Sequence, residues 1–254
     1  MGDRAPEGER VQSGDSPVRA AIPPLAWPAP GGDLVLPPWP WPEPDDPPLL
    51  LLLDRRQPQV QALMAPLGDL LDPGERQRLR RLRRQEDGER FLLGRGALRL
   101  ILGGWLGCDP AGLVLGVGPH GKPELLLREA AGPGSGGIRP QFNVSHSGDL
   151  ILLGFHPERP VGVDVEQRRP LPEWEGIAGR FLSPEESERI RALPMERRSD
   201  AFLTAWCRLE AGLKARGLGL FGGATSGSGA REDPDPDHWP LVLPEGYVGG
   251  AALA

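Results

Sequence analysis

Apolar residues along the chain switch between two spacings, and the switches mark out its elements. Leu49–Asp54 is apolar at every position but the last and predicts a fully buried strand. Val60–Leu71 predicts a short helix. Asp72-Pro73-Gly74-Glu75 then supplies a cap and first turn for a longer helix running to about Gly103, with a break near Asp87-Gly88. Along it Phe91, Leu92, Arg95, Leu98, Arg99 and Leu102 form an amphipathic face edged with basic residues. Gln141–Val144 and Leu150–Phe155 predict strands joined by a turn over Ser145–Asp149, and Val161–Glu166 alternates strictly, the clearest strand of all. Arg180–Leu193 and Arg198–Arg216 predict helices, the first capped at Ser183-Pro184-Glu185-Glu186. Leu241–Leu243 and Tyr247–Leu253 predict closing strands. Gly-rich loops fall around 116–121 and 131–137, and a further loop over 217–237. Helices and strands mingle throughout, so the expected class is α+β.

The division along the chain follows from proline. Residues 1–48 hold 13 of the 31 prolines, including Pro37-Pro38-Trp39-Pro40-Trp41-Pro42, and are expected to be extended or disordered, with Trp39 and Trp41 able to dock on the folded body. The Pro157–Pro160 stretch suggests a junction, giving units of 49–158 and 159–254.

Composition narrows the class further. Hydrophobic content of 39% and charge of 25% are ordinary for a globular protein. No apolar run approaches the ~18 residues of a membrane span, and no signal-like apolar region opens the chain, so the expectation is a cytoplasmic protein without a membrane partner. Cys108 and Cys207 make neither a disulfide framework nor a zinc cluster. The net charge is −6, yet Arg76 to Arg99 carries nine arginines against Glu86, Asp87 and Glu89. A local basic stretch on an acidic chain points to a confined polyanion site rather than nucleic acid, with most of these arginines on a solvated helix face. Only two of the 29 basic residues are lysines, Lys122 and Lys214. A lysine kept where arginine is otherwise used nominates a place for a compact ammonium on a flexible stem.

Chemistry gathers at four places. In Val161-Gly162-Val163-Asp164-Val165-Glu166 the valines face the core, while Gly162, Asp164 and Glu166 share the other face. Two carboxylates at that spacing repel unless a cation lies between them, and Gly162 leaves room for a ligand. An exposed strand face with two solvated acids fits about as well. Glu210 and Lys214 are one helical turn apart beside the stripe of Phe202, Trp206, Leu209 and Leu213. Phe142-Asn143-Val144-Ser145-His146-Ser147-Gly148 places a histidine between hydroxyls. Gly121-Lys122-Pro123 ends a near P-loop, but Pro123 stands where a phosphate loop needs Ser or Thr and removes an amide, which argues against a nucleotide hydrolase.

Taken in order, these four segments resemble the phosphopantetheinyl transferases of the surfactin-synthetase-activating type. The similarity runs from about Arg78 through Gln85-Glu86-Asp87 and Phe91-Leu92-Leu93-Gly94 to Lys214, with Tyr247–Ala254 similar to the family's last strand. The resemblance implies two α+β halves related by an internal pseudo-twofold, with coenzyme A in the cleft between them. It implies Mg²⁺-dependent movement of the phosphopantetheine arm to a serine of an apo acyl carrier protein or carrier domain, leaving adenosine 3′,5′-bisphosphate, and a monomeric enzyme. Which carrier serves as acceptor (fatty-acid, polyketide or peptide-synthetase) stays open. On matching positions, Asp164, Glu166 and Glu210 hold the metal. Gly121, Lys122 and Pro123 line the adenine side; Arg78, Arg90, Ser145 and His146 contact coenzyme A; Lys214 meets the pyrophosphate. Catalysis rests on Glu210 as general base with Lys214 and Asp164. Three positions depart from the family: Leu209 where a lysine is usual, Gly212 inside the helix, and Glu75 where the residue is often basic. The loss of the lysine at 209 leaves a second reading, a binding module for coenzyme A or a carrier that keeps the fold without turnover.

Overall fold

The computed structural model describes residues 20–27, 41–118, 121–126, 140–218 and 235–254. Its first sheet is built on leucine. Strand β1 (Leu25–Ala26) pairs in parallel with β2 (Leu49–Asp54), β2 pairs antiparallel with β6 (Leu150–His156), and β6 with β5 (Gln141–Ser147). Both central strands are apolar at nearly every position because both faces are covered. Leu51, Leu53, Ile151, Leu153 and Phe155 point into one cluster with helix residues Leu93, Ala97, Leu98 and Ile101. Leu50, Leu52, Leu150 and Leu152 point the other way, against Val161, Val163, Val165 and Leu253. A strand clamped between two apolar layers has no polar face, which is why these runs read as continuous.

The second sheet is antiparallel, in the order β7 (Val161–Gln167), β9 (Tyr247–Leu253), β8 (Asp237–Pro240). Helix α7 (Met195–Ala215) lies across it. Between the sheets and the surface come α1 (Pro58–Ala62), α2 (Met64–Asp69), α3 (Pro73–Arg81), α4 (Gln85–Leu106), α5 (Trp174–Phe181) and α6 (Pro184–Arg191). A small hairpin pairs β3 (Leu115–Val117) with β4 (Pro123–Leu125). The α+β class is as expected. Among the described residues no helix is long and apolar enough to cross a membrane.

Several boundaries differ from the sequence reading, each for a physical reason. The helix over 60–71 is two short ones meeting at Leu63. Asp72 and Glu75 do form a capping box at the start of α3, but the break after it comes at Leu82–Arg84, not at Asp87-Gly88. Glu86 and Asp87 instead occupy the first turn of α4, where negative charge suits the exposed amide end of a helix. Ser183 caps α6 through the Glu186 amide, so residues before it belong to a separate helix, α5. The penultimate strand lies upstream of Leu241, at Asp237–Pro240.

Parts of the proline-rich segment are tied down. Ile22 bridges to Leu241, Trp27 donates its backbone N–H to Leu52, and Trp41 stacks on Trp105 at 4.3 Å. Trp39, the loops at 131–137 and 219–234, and Pro119-His120 lie outside the described residues.

Arg99 has 0% exposure, although α4's arginines were expected along a solvated edge. Its guanidinium reaches Glu75 and Asp72, both at 2.7 Å, and the Leu113 carbonyl at 2.8 Å. Glu75 is the partner that this buried cation needs.

Candidate active site

Strand β7 brings Asp164 and Glu166 to one face, as its alternation predicts, but that face is not open. Asp164 is buried and Gly162 lies directly under α7. A Cβ at 162 would stand 2.0 Å from the Ala211 carbonyl oxygen. The glycine therefore admits a helix backbone rather than a ligand, which corrects the sequence reading. The close approach of α7 is what carries Glu210 and Lys214 to the carboxylates. Lys214 Nζ donates to Asp164 Oδ1 at 2.6 Å and to the Val163 carbonyl at 3.3 Å, and stands 3.9 Å from Glu210 Oε2.

Strand β5 faces β7 across a seam and contributes Ser145, whose hydroxyl donates to Asp164 Oδ1 at 2.9 Å. Ser147 donates to Glu166 Oε2 at 2.9 Å, and Arg169 Nη1 reaches the same oxygen at 2.9 Å. Residues 145–147 thus belong to the strand, and the turn shrinks to Gly148 and Asp149. His146 points to the opposite side, its imidazole pushed below its usual value by desolvation and then by the charge of Arg90. Arg90 itself donates to the Gly148 carbonyl at 2.6 Å and pairs with Asp87. Arg78 stacks its guanidinium 5.0 Å above the Phe91 ring.

Lys122 reaches across from the β3–β4 hairpin to the carbonyls of Val161 and Lys214, each at 3.0 Å. Burial pulls its ammonium down to about 8. Gly121 precedes it with φ +82°, a left-handed turn that glycine accepts without strain. Beside this hairpin Lys122, Pro123, Leu125, Phe142, Pro160 and Arg216 line a cleft of about 620 Å³. Gly212 also has its reason: the His238 ring sits where a side chain would go, its Cε1 3.0 Å from an added Cβ.

The electrostatics of the pocket suit a cation. Burial raises the Glu210 carboxyl above its usual value; Lys214 lowers it, while Asp164 and Glu166 raise it further. Burial and then the Asp164 charge push the Cys207 thiol up as well. Asp164 Oδ2 is buried without a hydrogen-bond partner. An unpartnered buried carboxylate oxygen among further carboxylates fits a hard divalent ion, whose preferred ligands are oxygens. Among the described residues no three such side chains are already drawn together as a metal cluster. Lys214 holds the other oxygen of Asp164.

The structure joins Asp164, Glu210, Lys214 and Ser145 in one group, with Glu166 tied to its edge. Arg90 reaches from α4 to the β5–β6 turn at Gly148, and Arg78 rests on the Phe91 ring. The sequence reading named Asn143 and Ser147 without giving them a role and passed over Arg169. Asn143 and Ser147 could have been placed with Ser145, because polar residues at every second position of a buried strand require partners.

A family model described as the 4′-phosphopantetheinyl transferase superfamily matches residues 160–238. A Synechocystis sp. protein assigned to the 4′-phosphopantetheinyl transferases is 38% identical over 174 residues, spanning 65% of this chain and 68% of its own. The 4′-phosphopantetheinyl transferase HetI of Nostoc sp. is 39% identical over 168 residues (66% and 67%). A 4′-phosphopantetheinyl transferase of Bacillus subtilis is 32% identical over 173 residues (68% and 71%).

Proposed function

Because the chain belongs to the 4′-phosphopantetheinyl transferase superfamily, we propose that it moves 4′-phosphopantetheine from coenzyme A to a serine of an apo acyl or peptidyl carrier protein. The observation that carries this reading is Asp164, one oxygen bonded to Lys214 and Ser145 and the other buried without a partner, beside Glu210. The two units, 49–158 and 159–254, form pseudo-twofold halves in this reading, with coenzyme A in the cleft between them.

Phosphoryl transfer needs in-line placement and charge neutralisation more than covalent help. Asp164, Glu166 and Glu210 would hold Mg²⁺, and the ion would supply that neutralisation. The cleft beside Gly121, Lys122 and Pro123 takes the adenosine end. Arg78, Arg90, Ser145 and His146 contact coenzyme A, mainly through its phosphates. Lys214 stands beside Asp164, from which a flexible stem can turn its ammonium toward the pyrophosphate. The carrier serine Oγ attacks the phosphorus on the pantetheine side. A new P–O bond forms, the bridging P–O bond breaks, and adenosine 3′,5′-bisphosphate leaves with the electron pair. Glu210 takes the serine proton as general base.

The test combines purified protein, coenzyme A, Mg²⁺ and an apo carrier protein, followed by intact mass. A carrier gaining one phosphopantetheine group, with the gain lost on chelation, supports the reading. A carrier left unmodified while coenzyme A still binds would favour the binding-module reading raised by Leu209. Transfer that survives chelation would remove the metal from the scheme.

A further inference from the structure

Strand β7 is an edge of its sheet, so its outward amides need acceptors. On the β5 side, side chains supply them. Asn143 Oδ1 accepts from the Val163 N–H at 3.1 Å, Ser145 Oγ from Val165 at 3.3 Å, and Ser147 Oγ from Gln167 at 3.0 Å. Acceptors at every second residue of β5 meet amides at every second residue of β7. The choice of side chain at each rung follows what precedes the amide. Before Val163 comes Gly162, with nothing to hold, and the rung is an asparagine carbonyl. Before Val165 and Gln167 come Asp164 and Glu166, and there the rungs are hydroxyls.

A hydroxyl accepts and donates at once, whereas an amide oxygen only accepts. Ser145 therefore takes the Val165 N–H and passes its own proton to Asp164. Ser147 takes the Gln167 N–H and passes its proton to Glu166. Each serine closes a small ring over one carboxylate and the amide that follows it, so the joint between the sheets and the aim of the carboxylates are one network. Arg169 also reaches Glu166 Oε2, but from an exposed side chain that orients it less firmly.

We propose that Ser147 is a positioning residue of the transfer site, its hydroxyl holding Glu166 in the orientation that receives the divalent cation. This rests on the reading of Asp164 and Glu166 as cation ligands. The probe is Mn²⁺, titrated into metal-free protein and read by electron paramagnetic resonance, with the Mg²⁺ dependence of transfer and the melting temperature measured in parallel. Ser147→Ala should weaken Mn²⁺ binding, and raise the Mg²⁺ needed for half-maximal rate, by about tenfold, the weight of one hydrogen bond to a charged group. Its rate at saturating Mg²⁺ should stay within about threefold of wild type. Ser147→Thr keeps the hydroxyl and should restore both. Wild-type Mn²⁺ affinity in Ser147→Ala, whatever its melting temperature, would reduce the serine to a seam residue and overturn the proposal. A threonine variant as weak as the alanine one would overturn it too. If wild type itself binds no Mn²⁺, the cation reading fails first and takes the proposal with it, a result distinct from an unaffected alanine variant.

Discussion

Replacing Gly162 by alanine tests whether the approach of α7 builds the site. The new Cβ would lie 2.0 Å from the Ala211 oxygen and 2.4 Å from the Ala215 nitrogen, both backbone atoms of a helix. With ~3.3 Å as the closest ordinary C···O approach, α7 must retreat by about 1.3 Å or its last turn must deform. Overpacking of this kind costs roughly 1–3 kcal/mol. In a chain of this size about 2–4 °C of melting temperature goes with each kcal/mol, so a fall of roughly 2–12 °C is expected. The same retreat carries Lys214 and Glu210 away from Asp164, stretching an ion pair now at 2.6 Å. A misplacement near 1 Å can cost up to about 10²-fold in rate. Calorimetry and carrier-transfer kinetics on the purified variant measure both. Unchanged melting and unchanged turnover would mean that β7 and α7 do not meet this closely, and the geometry argued for Glu210 and Lys214 would fall with that contact.

Glu210→Gln keeps the shape of the side chain but removes its basicity, so transfer should drop ~10²–10⁴-fold while coenzyme A affinity, read by calorimetric titration, changes little. Near-normal turnover at saturating Mg²⁺ would make Glu210 structural. Lys122 is held at about 8 against an ordinary value of 10.5, so between those pH values the unfolded chain binds a proton that the folded one has released. Its contribution to stability therefore rises with pH across that window. The neutral amine still has two N–H groups for Val161 and Lys214, and Glu124 is the charge that opposes the loss of its proton. The stability difference between wild type and Lys122→Met, from denaturant titrations, should move in favour of wild type from pH 8 to 10.5; a flat difference would refute this. Arg99→Met strands Glu75 and Asp72 around an uncompensated site and should cost about 3–5 kcal/mol in the same assay. A loss under 1 kcal/mol would show that Arg95 and solvent already satisfy those acids.

What the sequence disclosed depended on how local the cause was. Val161–Glu166 was legible because a two-residue period reports a strand directly, and Tyr247–Leu253 because it is a short apolar run behind Pro244 and Gly246. The Asp72–Glu75 capping box was legible because both partners lie within four residues. The face that Asp164 shares with Gly162 was legible as a face, but alternation does not say what covers it, and the cover is a helix that starts thirty residues later. Arg99 looked like any cation at the edge of an amphipathic helix. Its burial depends on Glu75, Asp72 and the 110–113 turn arriving from elsewhere. The rarity of lysine did point to two sites of interest, yet Lys122 bonds backbone carbonyls and only Lys214 meets a carboxylate. Ser147 was named only as a hydroxyl beside His146 in a turn, because nothing local shows that the strand continues to it and faces Glu166.

The strand segment at Ile22 connects regions that ribosomes make at very different times. Ile22 exchanges backbone hydrogen bonds with Pro240 and Val242, while a few residues on Trp27 bonds to Leu52. The Trp27 contact can form early in synthesis, from neighbours already out of the exit tunnel. The Ile22 contact must wait for residues near 240, so one end of this short strap stays unpaired through most of translation. During that interval the nascent chain presents an unsatisfied strand edge, and the prolines at 23 and 24 beside it limit what else can pair there.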